Sequence, residues 1–184
     1  MISKATIDGK ASATVTRKRG LVNELAPKGK FHVEHWRAGK LIGIYEMPNG
    51  VTNEGKNHML GVTFNAATPV TTWYIGLVDN AGFSAFAAAD VMSSHAGWTE
   101  YQLYSEANRV TWVENAPASQ SITNTTLAEF TITGTTDEVK GVFVVSNNTK
   151  GGTTGTLWAT AAFATVIPVD ASDVLKVTYT VSLT

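Results

Sequence analysis

Residues 138–184 decide the fold. They read Glu138-Val139-Lys140-Gly141-Val142-Phe143-Val144-Val145, then Ser146-Asn147-Asn148-Thr149-Lys150-Gly151-Gly152-Thr153-Thr154-Gly155, then Thr156-Leu157-Trp158 onward to a closing Val174–Thr184 segment. Val142 to Val145 is a short continuous apolar run, the mark of a strand covered on both faces. Residues 146–155 are turn formers without an aliphatic side chain, so the chain reverses there. Order resumes over residues 156–163. In the closing segment Leu175, Val177, Tyr179, Val181 and Leu183 alternate with Lys176, Thr178, Thr180 and Ser182. Successive strand side chains point to opposite faces, so this segment is a half-buried strand with one wet face. Nothing in the region is arranged for catalysis, which turns the question from chemistry to contacts.

Working back along the chain, residues 31–36 and 41–47 form a hairpin, turned at Arg37-Ala38-Gly39-Lys40. Met47-Pro48-Asn49-Gly50 breaks its second strand. Thr52 or Asn53 caps a helix running to about Phe64, with Met59, Leu60 and Phe64 on its apolar side. Gly55 and Gly61 each cost that helix about 1 kcal/mol against alanine, so packing has to hold it. Residues 70–78 read as a strong strand. Residues 83–96 are alanine-rich and predict one or two short helical turns stopped by Gly97. Residues 97–104, 109–113, 121–123 and 127–133 give further strands. Short strands with turn signals between them predict an all-β chain with minor short helices. The expected architecture is an antiparallel β-sandwich of jelly-roll type, with an immunoglobulin-like sandwich second.

At 184 residues the chain is sized for one domain with an arm. A domain of this mass buries roughly 70% of the surface its unfolded chain exposes. The absence of cysteine excludes disulfides and thiolate metal sites. Neither a signal-peptide pattern nor a membrane-length apolar run is present, so a soluble protein is expected.

Charge is uneven. Of fourteen Lys and Arg and fifteen Asp and Glu, residues 1–30 hold seven and two, leaving seven cations and thirteen acids beyond them. This predicts a basic N-terminal arm over residues 1–30 and a β body over residues 31–184. The arm reads as a solvated leader or as a segment lying across an acidic partner. Nucleic acid ranks third, because Arg17-Lys18-Arg19 has no interleaved aromatic residue for base stacking. The candidate partner-binding residues are Arg17, Lys18, Arg19, Lys28 and Lys30.

His32, Glu34 and His35 invite a metal reading. On a strand, however, His32 and Glu34 share one face and His35 takes the other, so no metal or other cofactor is expected. The glycine-rich run at 151–155 lacks the lysine of a phosphate loop and reads as a mobile hairpin or interface loop. Gly82-Phe83-Ser84-Ala85-Phe86 lacks the second glycine of a nucleophile elbow. Asp90, Ser94 and His95 are too close in sequence to form a triad. A non-enzymatic protein is expected. Of five tryptophans, Trp73 and Trp158 sit in apolar patterns and read as core. Trp98 and Trp112 lie beside turns and are the candidate interface or ligand aromatics.

Residues 150–160 with Phe163 and the closing strand resemble the C-terminal region of small β-rich virion proteins of tailed bacteriophages. The resemblance extends to Val51-Thr52-Asn53-Glu54-Gly55-Lys56-Asn57-His58-Met59-Leu60, to Trp73-Tyr74-Ile75-Gly76-Leu77-Val78-Asp79-Asn80 and to His95-Ala96-Gly97-Trp98-Thr99-Glu100. It implies a phage structural protein similar to head decoration or cement proteins, gripping the outside of a capsid. The expected partners are the major capsid protein and further copies of the chain, as a dimer or trimer. The expected place is the outer surface of the virion, after assembly in the bacterial cytoplasm. A tail, neck or fibre-attachment component is the alternative within that class, and a carbohydrate-binding module using Trp98 or Trp112 is the alternative outside it.

Overall fold

The first hairpin forms where its turn chemistry demands. In the computed structural model, which describes residues 26–183, Ala38 and Gly39 both take left-handed backbone angles (φ 48° and 74°). Two consecutive positive-φ residues are what a tight hairpin matched to strand twist requires. They join β1 (Pro27–Arg37) to β2 (Lys40–Pro48), and β3 (Gly50–Val51) and α1 (Asn53–Phe64) follow. Then come β4 (Trp73–Asp79), β5 (Glu100–Tyr101), β6 (Val110–Glu114), β7 (Ser121–Thr126) and β8 (Ala128–Thr131). The chain closes with β9 (Asp137–Val145), β10 (Leu157–Val169) and β11 (Val174–Leu183). The antiparallel, mostly β body with one short helix among the described residues agrees with the sequence reading.

The strands run β2-β1-β11-β7-β6-β4-β9-β10-β3, with β5 on β4 and β8 on β11. β2 and β3 stand at opposite ends of this order, yet only Asn49 separates them in the chain. The two ends therefore meet, and the sheet is a nearly closed, barrel-like wall. Asn49 N–H donates to Gly29 O at 3.0 Å, while Gly50 and Val51 pair with Thr160 and Ala159 of β10. Closure of this kind leaves little free strand edge.

The apolar run of β9 is covered on both sides, as its composition predicts. Val142 and Val144 join Phe31, Ile75, Phe130, Leu175 and Tyr179 inside the barrel. Phe143 and Val145 face outward and pack with Leu157, Met92 and Trp98 beneath the loop after β4. That loop is where a helix was expected, and it has none. Its polar groups are committed elsewhere: Asp90 accepts from Ala87 N–H (2.8 Å) and Trp98 Nε1 (2.9 Å), and Ser84 N–H donates to Gly97 O (2.8 Å). Ala88 O accepts from Asn53 N–H at 2.8 Å. A lid that must bury Trp98 over β9 fits the sheet better than an isolated short helix does.

The helix is capped as expected. Thr52 Oγ1 accepts from Gly55 N–H at 2.9 Å and donates to Leu157 O. A β-carbon at Gly55 would stand 2.6 Å from Trp158 O, so only glycine lets α1 approach β10 this closely.

Tyr179 ties the wall together. Fully buried, it stacks on Phe31 with ring centroids 4.3 Å apart. Its hydroxyl accepts from Asn49 Nδ2 (2.7 Å) and Trp158 Nε1 (2.8 Å). Tyr179→Phe removes that acceptor and strands two donors. A loss of about 2–3 kcal/mol is expected, since each buried group left unsatisfied costs roughly 1–3 kcal/mol. Urea unfolding should show a lower midpoint at unchanged slope. A midpoint equal to wild type would refute the assignment.

Candidate functional site

The part of the predicted basic arm that lies within the described residues belongs to β1. Lys28, Lys30 and His32 alternate on its outer face, opposite Ser182, Thr180 and Thr178 of β11. Ser121 of β7 completes a shallow concavity of about 580 Å³ lined by amines and hydroxyls. Glu46 of β2 sits at its border, 3.0 Å from Lys30 Nζ and 3.2 Å from His32 Nδ1. Hydrogen bonds from Lys30 and then His32 hold the Glu46 carboxyl below its usual range. β1 thus includes Pro27 to Lys30, residues that the sequence reading placed in the arm. Arg17, Lys18, Arg19 and the rest of residues 1–25 lie outside the described residues.

The same outer wall continues into apolar side chains. Ile44 (55% exposed) pairs across from Glu34 and Leu41 (43% exposed) from the half-buried Trp36, while Ile42 (52% exposed) turns to the cavity between β2 and the end of β10. Isolated exposed aliphatics are ordinary. Several on one short strand are the more informative observation.

His32, Glu34 and His35 divide as strand geometry predicts. His32 and Glu34 are 3.7 Å apart on the outside. His35 is buried, with Nε2 2.8 Å from Asp173 Oδ2. Arg37 donates to both oxygens of Asp173, at 2.7 and 2.6 Å, and Asp170 N–H adds a fourth bond at 2.9 Å. This cluster edges a 560 Å³ cavity at the seam between β2 and the end of β10, which Ile42, Tyr45, Asp137 and Asp170 also line. Burial pushes the Asp173 carboxyl up, but the bonds from Arg37, Asp170 and His35 outweigh it and hold the group far below the usual range. Such a carboxyl stabilises the fold fully above its unfolded value of about 4, and the contribution is lost as pH falls toward the folded value. Asp173→Asn should cost roughly 3 kcal/mol at neutral pH, the low end for one partner of a buried pair because Arg37 still reaches water. The variant should also show a flatter stability profile than wild type between about pH 5 and pH 2 in denaturant unfolding. Parallel profiles would contradict the role given to Asp173.

The glycine-rich tip, expected to be mobile, is anchored. Arg109 is buried against Glu100 through two bonds of 3.0 and 2.8 Å, and it also donates to Asn147 O (3.0 Å) and Gly152 O (2.7 Å). Gly151 N–H donates to Glu100 Oε2 at 2.8 Å. Lys150 Nζ lies 3.8 Å from the Tyr104 ring centroid and bonds Tyr104 O at 2.7 Å. No local pattern in the sequence signals a partner some forty residues away. Arg109→Met should lower stability by roughly 3–5 kcal/mol by leaving Glu100 buried and unpaired. Amide exchange at residues 146–155 should accelerate well before global unfolding. Unchanged exchange there would show that the tip holds itself.

Trp73 and Trp158 are partly buried against the core, in keeping with their apolar patterns, whereas the candidate interface or ligand aromatics are more deeply buried than they are. Trp98 and Trp112 are 2% and 5% exposed. Trp98 lies beneath the loop after β4, and Trp112 donates Nε1 to Asn124 Oδ1 (2.7 Å) and Tyr179 O (3.2 Å). Trp73 and Trp158 reach a surface in part, and with Trp112 they line a cleft of about 240 Å³. Trp73 sits opposite Trp112 in the β4–β6 register, a pairing invisible until the strands are aligned. Comparison with known protein families finds no match, and comparison with curated proteins finds none.

Proposed function

We propose that this chain is a non-enzymatic structural protein of the tailed-bacteriophage virion, a decoration protein seated on the outer surface of the head. The resemblance of the blocks at residues 51–60, 73–80, 95–100 and 150–160 supports the class. The observation that carries the role is the outer wall of β1 and β2, which bears Lys28, Lys30 and His32 toward one end and the exposed Ile44 and Leu41 toward the other, with Glu46 and Glu34 between them. An acidic shell surface with an apolar spot is its physical complement, since charge steers and orients docking while apolar contact holds it. In this reading the barrel-like body is a jelly-roll-type sandwich. It carries residues 1–25, with Arg17, Lys18 and Arg19, as an arm over neighbouring capsid subunits.

The mechanism is mechanical. A decorator that binds the assembled shell and not its free subunits stabilises the shell by mass action. Seating as a dimer or trimer multiplies weak single contacts through effective concentration. The internal chemistry of the body is consistent with this: His35, Asp173, Arg37, Arg109 and Glu100 are engaged with one another or with backbone groups.

Quantitative mass spectrometry of purified virions tests the role. A copy number equal to the major capsid protein, or a simple fraction of it, is expected. A few copies per particle would move the protein to the tail, neck or fibre attachment, and absence would overturn the structural reading. Docking is tested separately with Lys28→Glu plus Lys30→Glu and with deletion of residues 2–25, a cut that leaves β1 whole. Each should weaken binding to undecorated heads by about tenfold or more, the equivalent of 1.4 kcal/mol. Undiminished binding by both variants would remove the basic segment from the mechanism.

A further inference from the structure

The cleft on the β4–β6–β10 side of the barrel is built from Trp73, Trp112 and Trp158, with Val70, Ile122, Val144 and Val181 filling the gaps and Glu114 at its border. Two of its indoles are fixed by internal bonds: Trp158 Nε1 to Tyr179 Oη at 2.8 Å, and Trp112 Nε1 to Asn124 Oδ1 at 2.7 Å. Trp73 is tilted against Trp158 with centroids 5.8 Å apart, and His58 of α1 meets it edge-on at 5.8 Å. The aromatic walls are therefore set before any ligand arrives. Glu114 takes part in none of the ion pairs among the described residues, so its carboxylate stands at the border of an otherwise uncharged, aromatic lining.

We propose that this cleft binds a quaternary ammonium group of the choline type. A trimethylammonium cation needs no hydrogen bonds. It needs aromatic faces, whose quadrupole attracts positive charge, and a nearby anion. Trp73, Trp112, Trp158 and Glu114 supply those two things. A sugar is the poorer fit, because its hydroxyls require several donors and acceptors. The Trp112 and Trp158 indole N–H groups are already committed, and apart from Trp73 and Glu114 the remaining lining is aliphatic. At about 240 Å³ the cleft is below the usual size of sites for drug-sized ligands, roughly 300–1,000 Å³, and suits a small head group.

Choline chloride, titrated against the full chain at constant ionic strength with tryptophan fluorescence as readout, tests the proposal. Saturable binding is expected, about tenfold or more tighter than for the uncharged isostere that carries a tert-butyl group in place of trimethylammonium. Glu114→Gln, an exposed and conservative change, should weaken choline binding severalfold and leave the isostere unaffected. Trp73→Ala should abolish the response, with circular dichroism confirming the fold. Vesicles of phosphatidylcholine that co-sediment with wild type but not with Trp73→Ala would assign the group to a lipid head group. Choline binding without co-sedimentation would assign it to a soluble solute. Equal affinity for choline and its isostere, a response to glucose alone, or no saturable response would each overturn the proposal. None of these outcomes bears on virion copy number, so the two readings fail separately.

Discussion

Closure of the sheet centres on the buried hydroxyl of Tyr179, which adds directed side-chain bonds to the strand ladders that set the register. Tyr179 lies on β11, its ring against Phe31 of β1 and its oxygen between Asn49 and Trp158. Asn49 is the residue at which the chain passes from β2 to β3, and Trp158 belongs to β10 at the far end of the strand order. One side chain thus joins the middle of the sheet to the place where its ends meet. The main chain of Tyr179 adds to this, since its N–H donates to Asn124 Oδ1 and its carbonyl accepts from Trp112. A barrel closed mainly by apolar packing tolerates slippage; one closed through directed bonds in a dry interior does not, because a slipped register leaves donors unpaired.

Two ionic clusters do comparable work at the periphery, in different dielectric settings. Arg109 and Glu100 are both removed from water, with side chains 0% and 5% exposed. Their attraction has to offset a large desolvation cost, and it does so because the remaining guanidinium protons find Asn147 and Gly152 carbonyls. That same need for acceptors is what immobilises the glycine-rich tip. Arg37 and Asp173 differ: the carboxylate is buried while the guanidinium is 44% exposed, so the pair is partly screened and marks the seam rather than sealing it.

Local chemistry was readable in the sequence, and long-range coincidence was not. Ala38-Gly39 specified the first turn, Thr52 specified the helix cap, and the alternation from Leu175 to Tyr179 specified which face of β11 is buried. Val142 to Val145 announced burial on both faces without saying what supplies the outer cover. That cover is the loop carrying Met92 and Trp98, and its alanines suggested helix because helix propensity is a local quantity, whereas the bonds of Asp90 to Ala87 and Trp98 depend on the tertiary arrangement. The burial of Trp98 and Trp112 was hidden for the same reason. Proximity to a turn says nothing about which strand will lie across, and the alignment of Trp73 with Trp112 follows from a pairing between segments some forty residues apart.

A body built this way constrains how it can bind. The ring is nearly closed, the tip is anchored, and the inward polar groups other than Asn49 Oδ1 and Tyr104 Oη are engaged, so docking as proposed would bring little folding of the described residues and forfeit little conformational entropy. Within the described residues, the proposed contacts then draw on side chains already exposed and already placed: the amines of Lys28 and Lys30, the aliphatics of β2, and the rims of the aromatic cleft. The first two share one outer wall, while the cleft is walled by β4, β6 and β10. The proposed seat for a large partner on the β1–β2 wall and the proposed cation cleft share no lining residue, so occupying one would not require displacing the other.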